Sequence, residues 1–168
     1  MTEFEPWGPP PPYRPPLPPE RAALAAIYRR IEEALAPVAA CRACGTCCRF
    51  TPGGIVLFST ALEMVYLISE AGWPPAGRLP AVGPPDAAWQ CPYQEGDRCA
   101  AHLWRPLGCR TYFCDAAARA VGERLYGPAL MDIRRVAEGQ GHSAWYGPAR
   151  LYWERLSGQS VDVPPKTR

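Results

Sequence analysis

Cys41-Arg42-Ala43-Cys44-Gly45-Thr46-Cys47-Cys48 is the stretch that most limits what this chain can become. A core uses a buried cysteine as a small hydrophobe, and no core needs four of them on one short loop. The spacing C-x2-C-x2-C-C instead draws several sulfurs toward one point, as a metal ion or an iron–sulfur cluster requires. Gly45 follows the second thiol, and glycine accepts the positive φ that lets a backbone turn tightly under such a point.

Four more cysteines follow at Cys91, Cys99, Cys109 and Cys114, on segments that read as loops and turns. Thiolate is a soft ligand, so it selects zinc or iron–sulfur clusters over calcium and magnesium. Structural zinc is usually held by two C-x2-C knuckles. Cys41 and Cys44 make one, and the distal cysteines are spaced too widely to make the second. A cubane cluster takes three closely spaced thiolates and one remote one. Cys41, Cys44 and Cys47 supply such a triplet, and Cys91-Pro92 is like the remote ligand followed by proline in bacterial ferredoxins. All eight cysteines are therefore candidate metal ligands. An iron–sulfur cluster, of the 4Fe-4S kind, is the favoured cofactor and zinc the alternative.

Several thiolates on one centre leave it anionic, and nearby guanidinium groups would stabilise that charge. Arg42, Arg49, Arg98, Arg105 and Arg110 lie among the cysteines, with Arg49, Arg105 and Arg110 the candidates for this role. His102 follows Cys99 at C-x2-H spacing and could ligate, although a partly exposed histidine with an ordinary hydrogen bond is the favoured reading. Gly139-Gln140-Gly141 follows a helical pattern and not a strand, so it is no nucleotide-binding loop. No G-x-S-x-G, H-E-x-x-H or P-loop motif occurs.

The 168 residues suffice for one small domain with a modest core. A formal charge of +2 is too balanced for nucleic acid or an anionic membrane to be the main partner. No apolar run reaches the ~18 residues of a membrane span, and no basic segment leads into an apolar one at the start of the chain. A cytoplasmic, reducing location is the expectation, in which eight cysteines read as ligands before disulfides.

The expected fold class is mainly α: a small single domain of short helices with cysteine-rich metal-binding loops. Residues 1–19 form a proline-rich arm (Pro6, Pro9 to Pro12, Pro15, Pro16, Pro18, Pro19), extended in solvent or laid on the domain surface, with docking on a partner through proline-rich recognition as the alternative. Residues 20–158 form the cysteine-cluster domain and 159–168 a flexible tail. Leu24, Ile27, Tyr28, Ile31 and Leu35 make a helical stripe that Pro37 ends. Residues 55–58 read as a short strand or a buried approach. Thr60 and Glu63 fit a capping box for a second helix, almost all apolar and so central, which Gly72 closes. Residues 72–88 form a long irregular loop. A helix capped by Asp115 is expected to run to Gly127, and Pro128 to start a separate one ending at Gly139. A last helix spans 148–156.

Taken in order, Cys41 to Arg49, Cys91-Pro92-Tyr93, Asp97-Arg98-Cys99 and Arg105-Pro106-Leu107-Gly108-Cys109-Arg110 resemble the CxxCxxCC (YkgJ-like) cysteine-cluster family of zinc- or iron-chelating proteins. The likeness covers about residues 41–114. The family's usual C-x-I-Y segment reads Cys99-Ala100-Ala101-His102 here. The resemblance implies chelation by the cysteines and assigns no reaction. The expected function is thus an iron–sulfur protein with a redox or accessory role, meeting a protein or redox partner. A zinc-stapled interaction module and a metal-dependent enzyme of unknown substrate are the alternatives.

Overall fold

The computed structural model describes residues 7–38, 45–75, 77–80 and 88–157. Cys41, Arg42, Cys44 and the 159–168 tail lie outside them. The molecule is mainly α, as expected, with little sheet. In chain order the elements are α1 (Pro18–Leu35), a 3-10 turn (Thr46–Cys48), β1 (Arg49–Phe50), β2 (Phe58–Thr60) and α2 (Ala61–Ala71). They continue with β3 (Trp89–Gln90), β4 (Gln94–Glu95), β5 (Arg98–Cys99), a second 3-10 turn (His102–Trp104) and α3 (Leu107–Thr111). The chain then forms α4 (Ala116–Gly139), β6 (Tyr146–Pro148) and α5 (Ala149–Ser157). Among the described residues no helix is long and apolar enough to cross a membrane.

The described part of the proline arm, from Trp7 onward, touches the domain. Trp7 packs edge-on against Phe58 with ring centroids 5.6 Å apart, and Trp145 Nε1 donates to Gly8 O at 3.3 Å. Pro18 and Pro19 open α1, where a missing N–H costs nothing because the first turn has no intrahelical acceptor for it. Glu20 caps that turn by accepting from Leu17 N at 2.6 Å. The stripe Leu24, Ile27, Tyr28, Ile31 and Leu35 is buried, as its period predicts.

Residues Ala61 to Ile68 of α2 are all buried, which leaves this helix no solvent face. It is the central element. Its capping box is formed: Glu63 N donates to Thr60 Oγ1 at 3.2 Å and Thr60 N to Glu63 Oε2 at 2.9 Å. The Glu63 carboxylate does more than cap. It is 1 % exposed, and its Oε2 also accepts from the hydroxyls of Thr60 (2.9 Å) and Ser59 (3.4 Å). Its Oε1 accepts from Leu107 N at 2.7 Å and Tyr28 Oη at 3.2 Å. One side chain therefore joins α1, α2 and the start of α3.

Two expectations need correction. The 55–58 run is not a buried approach: Ile55 and Val56 are exposed, and the strand begins only at Phe58. That strand, β2, pairs antiparallel with β6 in the register Phe58↔Pro148, Ser59↔Gly147, Thr60↔Tyr146. Nor does Pro128 begin a new helix; α4 runs through it without a break. Ala118, Gly122, Ala129, Ile133 and Ala137 make one buried stripe across both halves. Keeping that stripe on α1 and α3 outweighs the roughly 3 kcal/mol an interior proline costs. The approach to α3 is close, since a Cβ on Gly122 would come 2.0 Å from Thr111 O.

Replacing Glu63 with alanine strands five donors in the interior and is expected to cost about 3–5 kcal/mol in urea unfolding. An unchanged midpoint would remove its joining role. Pro128→Ala, which restores a helical hydrogen bond, is expected to stabilise by about 1–2 kcal/mol on the same measurement. A loss of stability would show that the two halves of α4 need the proline.

Candidate metal centre

The cysteine loop turns at Gly45, where φ is +68°. A Cβ there would meet Gln94 Nε2 at 2.5 Å and Asp97 Cα at 3.1 Å, so only glycine fits under the neighbouring hairpin. Gln94 Nε2 donates to Gly45 O at 3.2 Å and Gly96 O at 3.0 Å, stitching the loop to that hairpin. The 3-10 turn then brings Cys47 and Cys48 round with their sulfurs 3.9 Å apart, Cys47 exposed and Cys48 buried.

Three short pairings carry the other cysteines to this point. β1 and β3 pair antiparallel with Phe50 opposite Trp89, and the two rings stack at 4.2 Å. Cys91 N extends that pairing by donating to Cys48 O at 2.8 Å. β4 and β5 form a hairpin that sets Cys99 opposite Gln94. Cys109 sits on α3, whose first free N–H is the one held by Glu63. The described part of the 72–88 loop lies over this region, with Tyr93 Oη donating to Gly72 O at 2.6 Å and Arg78 Nη1 to Gln94 O at 3.2 Å.

Cys47, Cys48, Cys91, Cys99 and Cys109 line one cavity of about 80 Å³. Apolar side chains, Met64 and Leu67 of α2 among them, close its inner wall. Cys114 is elsewhere: it is exposed, and its carbonyl accepts from Arg119 Nη2 at 3.2 Å. As they stand, no three His, Cys, Asp or Glu side chains among the described residues converge at the spacing of a bound ion.

The thiols interact mainly with each other. Cys48, sharing protons with Cys47, Cys91 and Cys99, is pushed up as an acid. Cys47 is lowered to about 6, chiefly by the hydrogen bond with Cys48, with further help from backbone and from Arg105. Cys99 is lowered to about 7 by Cys48, the Ala101 backbone and Arg105. Burial first, then the neighbouring sulfurs, raises Cys109 well above the usual thiol range. The hydrogen bonds among these thiols favour the charged form at Cys47 and Cys99 and oppose it at Cys48. A soft cation binding to thiols displaces their protons.

The three arginines have different places. Arg105 lines the cavity, contacts His102 Nε2 through Nη1, and has no partner for its buried Nε among the described residues. Arg110 does not line it. Its buried guanidinium lies 3.9 Å over the Tyr28 ring and pairs with Glu32. It also donates to Leu103 O at 2.5 Å and Arg105 O at 2.8 Å. Arg110 thereby fixes the segment that carries Arg105. Arg49 is exposed, 3.6 Å from Asp97. His102 is exposed at the cavity edge and held by Arg105.

Sequence reasoning passed over Gln94. Nothing in a lone glutamine signals that its amide spans to Gly45, 49 residues earlier. Comparison with family models, with curated proteins and with solved structures finds no match to this chain.

Arg110→Ala removes donors from two carbonyls and the packing over Tyr28. Thermal stability is expected to fall by about 2–4 kcal/mol, with lysine failing to rescue because it lacks the planar fork. A chain as stable as the parent would show that Leu103 to Arg105 do not depend on Arg110.

Proposed function

We propose that this chain is a metal-binding protein that holds an iron–sulfur cluster of the 4Fe-4S kind through clustered cysteines, in a redox or accessory role. The observation that carries the reading is the cavity itself. Five thiols from the 46–48 turn, the 91–99 hairpin region and α3 wall a space of about 80 Å³. An inorganic cluster takes more room than a single ion, and a cavity with five thiols in its lining is where one would be held. Cys44, directly before Gly45 in the sequence, and Cys41, three residues before Cys44, are two further candidate ligands. Cys114 is the cysteine this reading leaves out.

The bound cluster would supply one-electron chemistry. The protein would ligate it with thiolates, offer Arg105 as a counter-charge, and shield it from water with Met64, Leu67 and the stacked Phe50 and Trp89. The exposed Cys47 lies at the edge from which a partner would exchange electrons.

Zinc has one observation in its favour. Two thiolates on a tetrahedral zinc, each about 2.3 Å from the metal, stand roughly 3.8 Å apart. Cys47 and Cys48 are separated by 3.9 Å. In that reading the metal staples the fold and the surface meets a partner.

Anaerobic purification with metal and sulfide analysis and an absorption spectrum separates the two. The expected product is brown, contains iron and acid-labile sulfide, and shows a broad thiolate-to-iron band. Cys48→Ser and Cys99→Ser are expected to lose the band, and Cys114→Ser to keep it. A colourless protein with zinc at a whole-number ratio would replace this reading by the zinc one. A protein that takes up neither would end both.

A further inference from the structure

A second cavity, of about 260 Å³, opens beside the sulfur-lined one. Cys47, Phe50, Leu57, Cys109 and Tyr112 line both, so the two spaces share a wall. Its volume is near the lower end of small-molecule sites, which begin at about 300 Å³. Aromatic rings dominate the rest of the lining: Phe58 from β2, Tyr146 from β6 and Tyr126 from α4. Phe58 and Tyr146 lie 5.4 Å apart at 33°, a tilted ring pair within the lining.

The polar groups narrow the choice of occupant. Tyr126 Oη and Tyr146 Oη are 2.7 Å apart. Two hydroxyls joined by one hydrogen bond use only one of their two protons on each other. The other proton meets no acceptor among the described residues. The pair is thus a donor set in an apolar wall, suited to an acceptor oxygen that has no proton of its own. Arg119 and Glu123, one turn apart on α4, line the same cavity with opposite charges. Arg119 is further tied to Phe113 O and Cys114 O, both at 3.2 Å. Their charges offset one another, so the cavity makes no demand for a charged ligand.

We propose that this second cavity is a binding site for a neutral, planar, conjugated ring molecule bearing a carbonyl oxygen, of the quinone type. Its ring lies among Phe58, Tyr146 and Tyr126, and its oxygen accepts from the Tyr126–Tyr146 pair. One edge rests against Cys47 and Cys109. The inference stands on the cavity walls and holds whether or not the sulfurs carry a metal.

Duroquinone is a suitable probe, because methyl groups block the ring positions that thiols would attack. Calorimetric titration of the full chain is expected to show saturable one-site binding. Tyr126→Phe/Tyr146→Phe removes both hydroxyls and is expected to weaken binding at least tenfold. Val56→Trp, at an exposed position on the cavity wall, is expected to abolish it. If the double variant does not fold by circular dichroism, the Val56 variant carries the test alone. Absence of saturable binding by the folded parent chain, or equal affinity in parent and folded variants, overturns the proposal. Metal analysis of the same samples keeps the two readings apart. Binding by metal-free protein counts against the cluster only, and no binding by metal-loaded protein counts against the ligand site only.

Discussion

The Glu63 carboxylate is the constraint on which the rest of the molecule depends. A carboxylate removed from water must have its lone pairs filled, and five donors from three helical regions fill them. Tyr28 brings α1 to it, Thr60 and Ser59 the start of α2, and Leu107 the start of α3. Hydrogen bonds to a buried charge are stronger than neutral ones and directional. They set how the helices meet, while Leu62, Val65 and Ile68 supply the non-directional burial around them. Because Leu107 lies two residues before Cys109, the same carboxylate sets the position of one wall of the sulfur cavity.

The molecule has two parts of unlike construction. The helices α1, α2 and α4 present continuous apolar stripes to one another and would be expected to hold by packing. The cysteine region rests on ladders of two residues each, β1 with β3 and β4 with β5. Strands this short have little stability alone. Their support comes from one stacked aromatic pair, the Gln94 amide and the backbone grip of Arg110. A bound metal would add its ligation energy directly to the folding of a region whose own ladders are this short.

How legible this was from the sequence varied with the range of the interaction involved. The α1 stripe, the Thr60–Glu63 capping box, the turn at Gly45 and the burial of α2 follow from spacings of three or four residues or from one glycine. The break expected at Pro128 did not occur, because a local penalty was set against a buried stripe whose partners lie on α1 and α3. Ile55 and Val56 look like core and are exposed. Their apolar character gave no sign that the chain turns inward only at Leu57 and Phe58. Arg105 and Arg110 are equally close to the cysteines in sequence, yet one faces the sulfurs and the other faces Glu32 and Tyr28.

The sequence alone determined that this is a mainly helical chain with a thiol-rich centre, since composition and short spacings carry that information. Only the tertiary structure decided which thiols share a wall. Cys91, Cys99 and Cys109 join Cys47 and Cys48, while Cys114, five residues beyond Cys109, is turned out to solvent. The tertiary structure also placed Tyr126 against Tyr146, and Gln94 under Gly45. The physical reason is that these are long-range pairings. Each is set by how helices and two-residue ladders pack around Glu63, and no local pattern in the chain encodes a neighbour that distant.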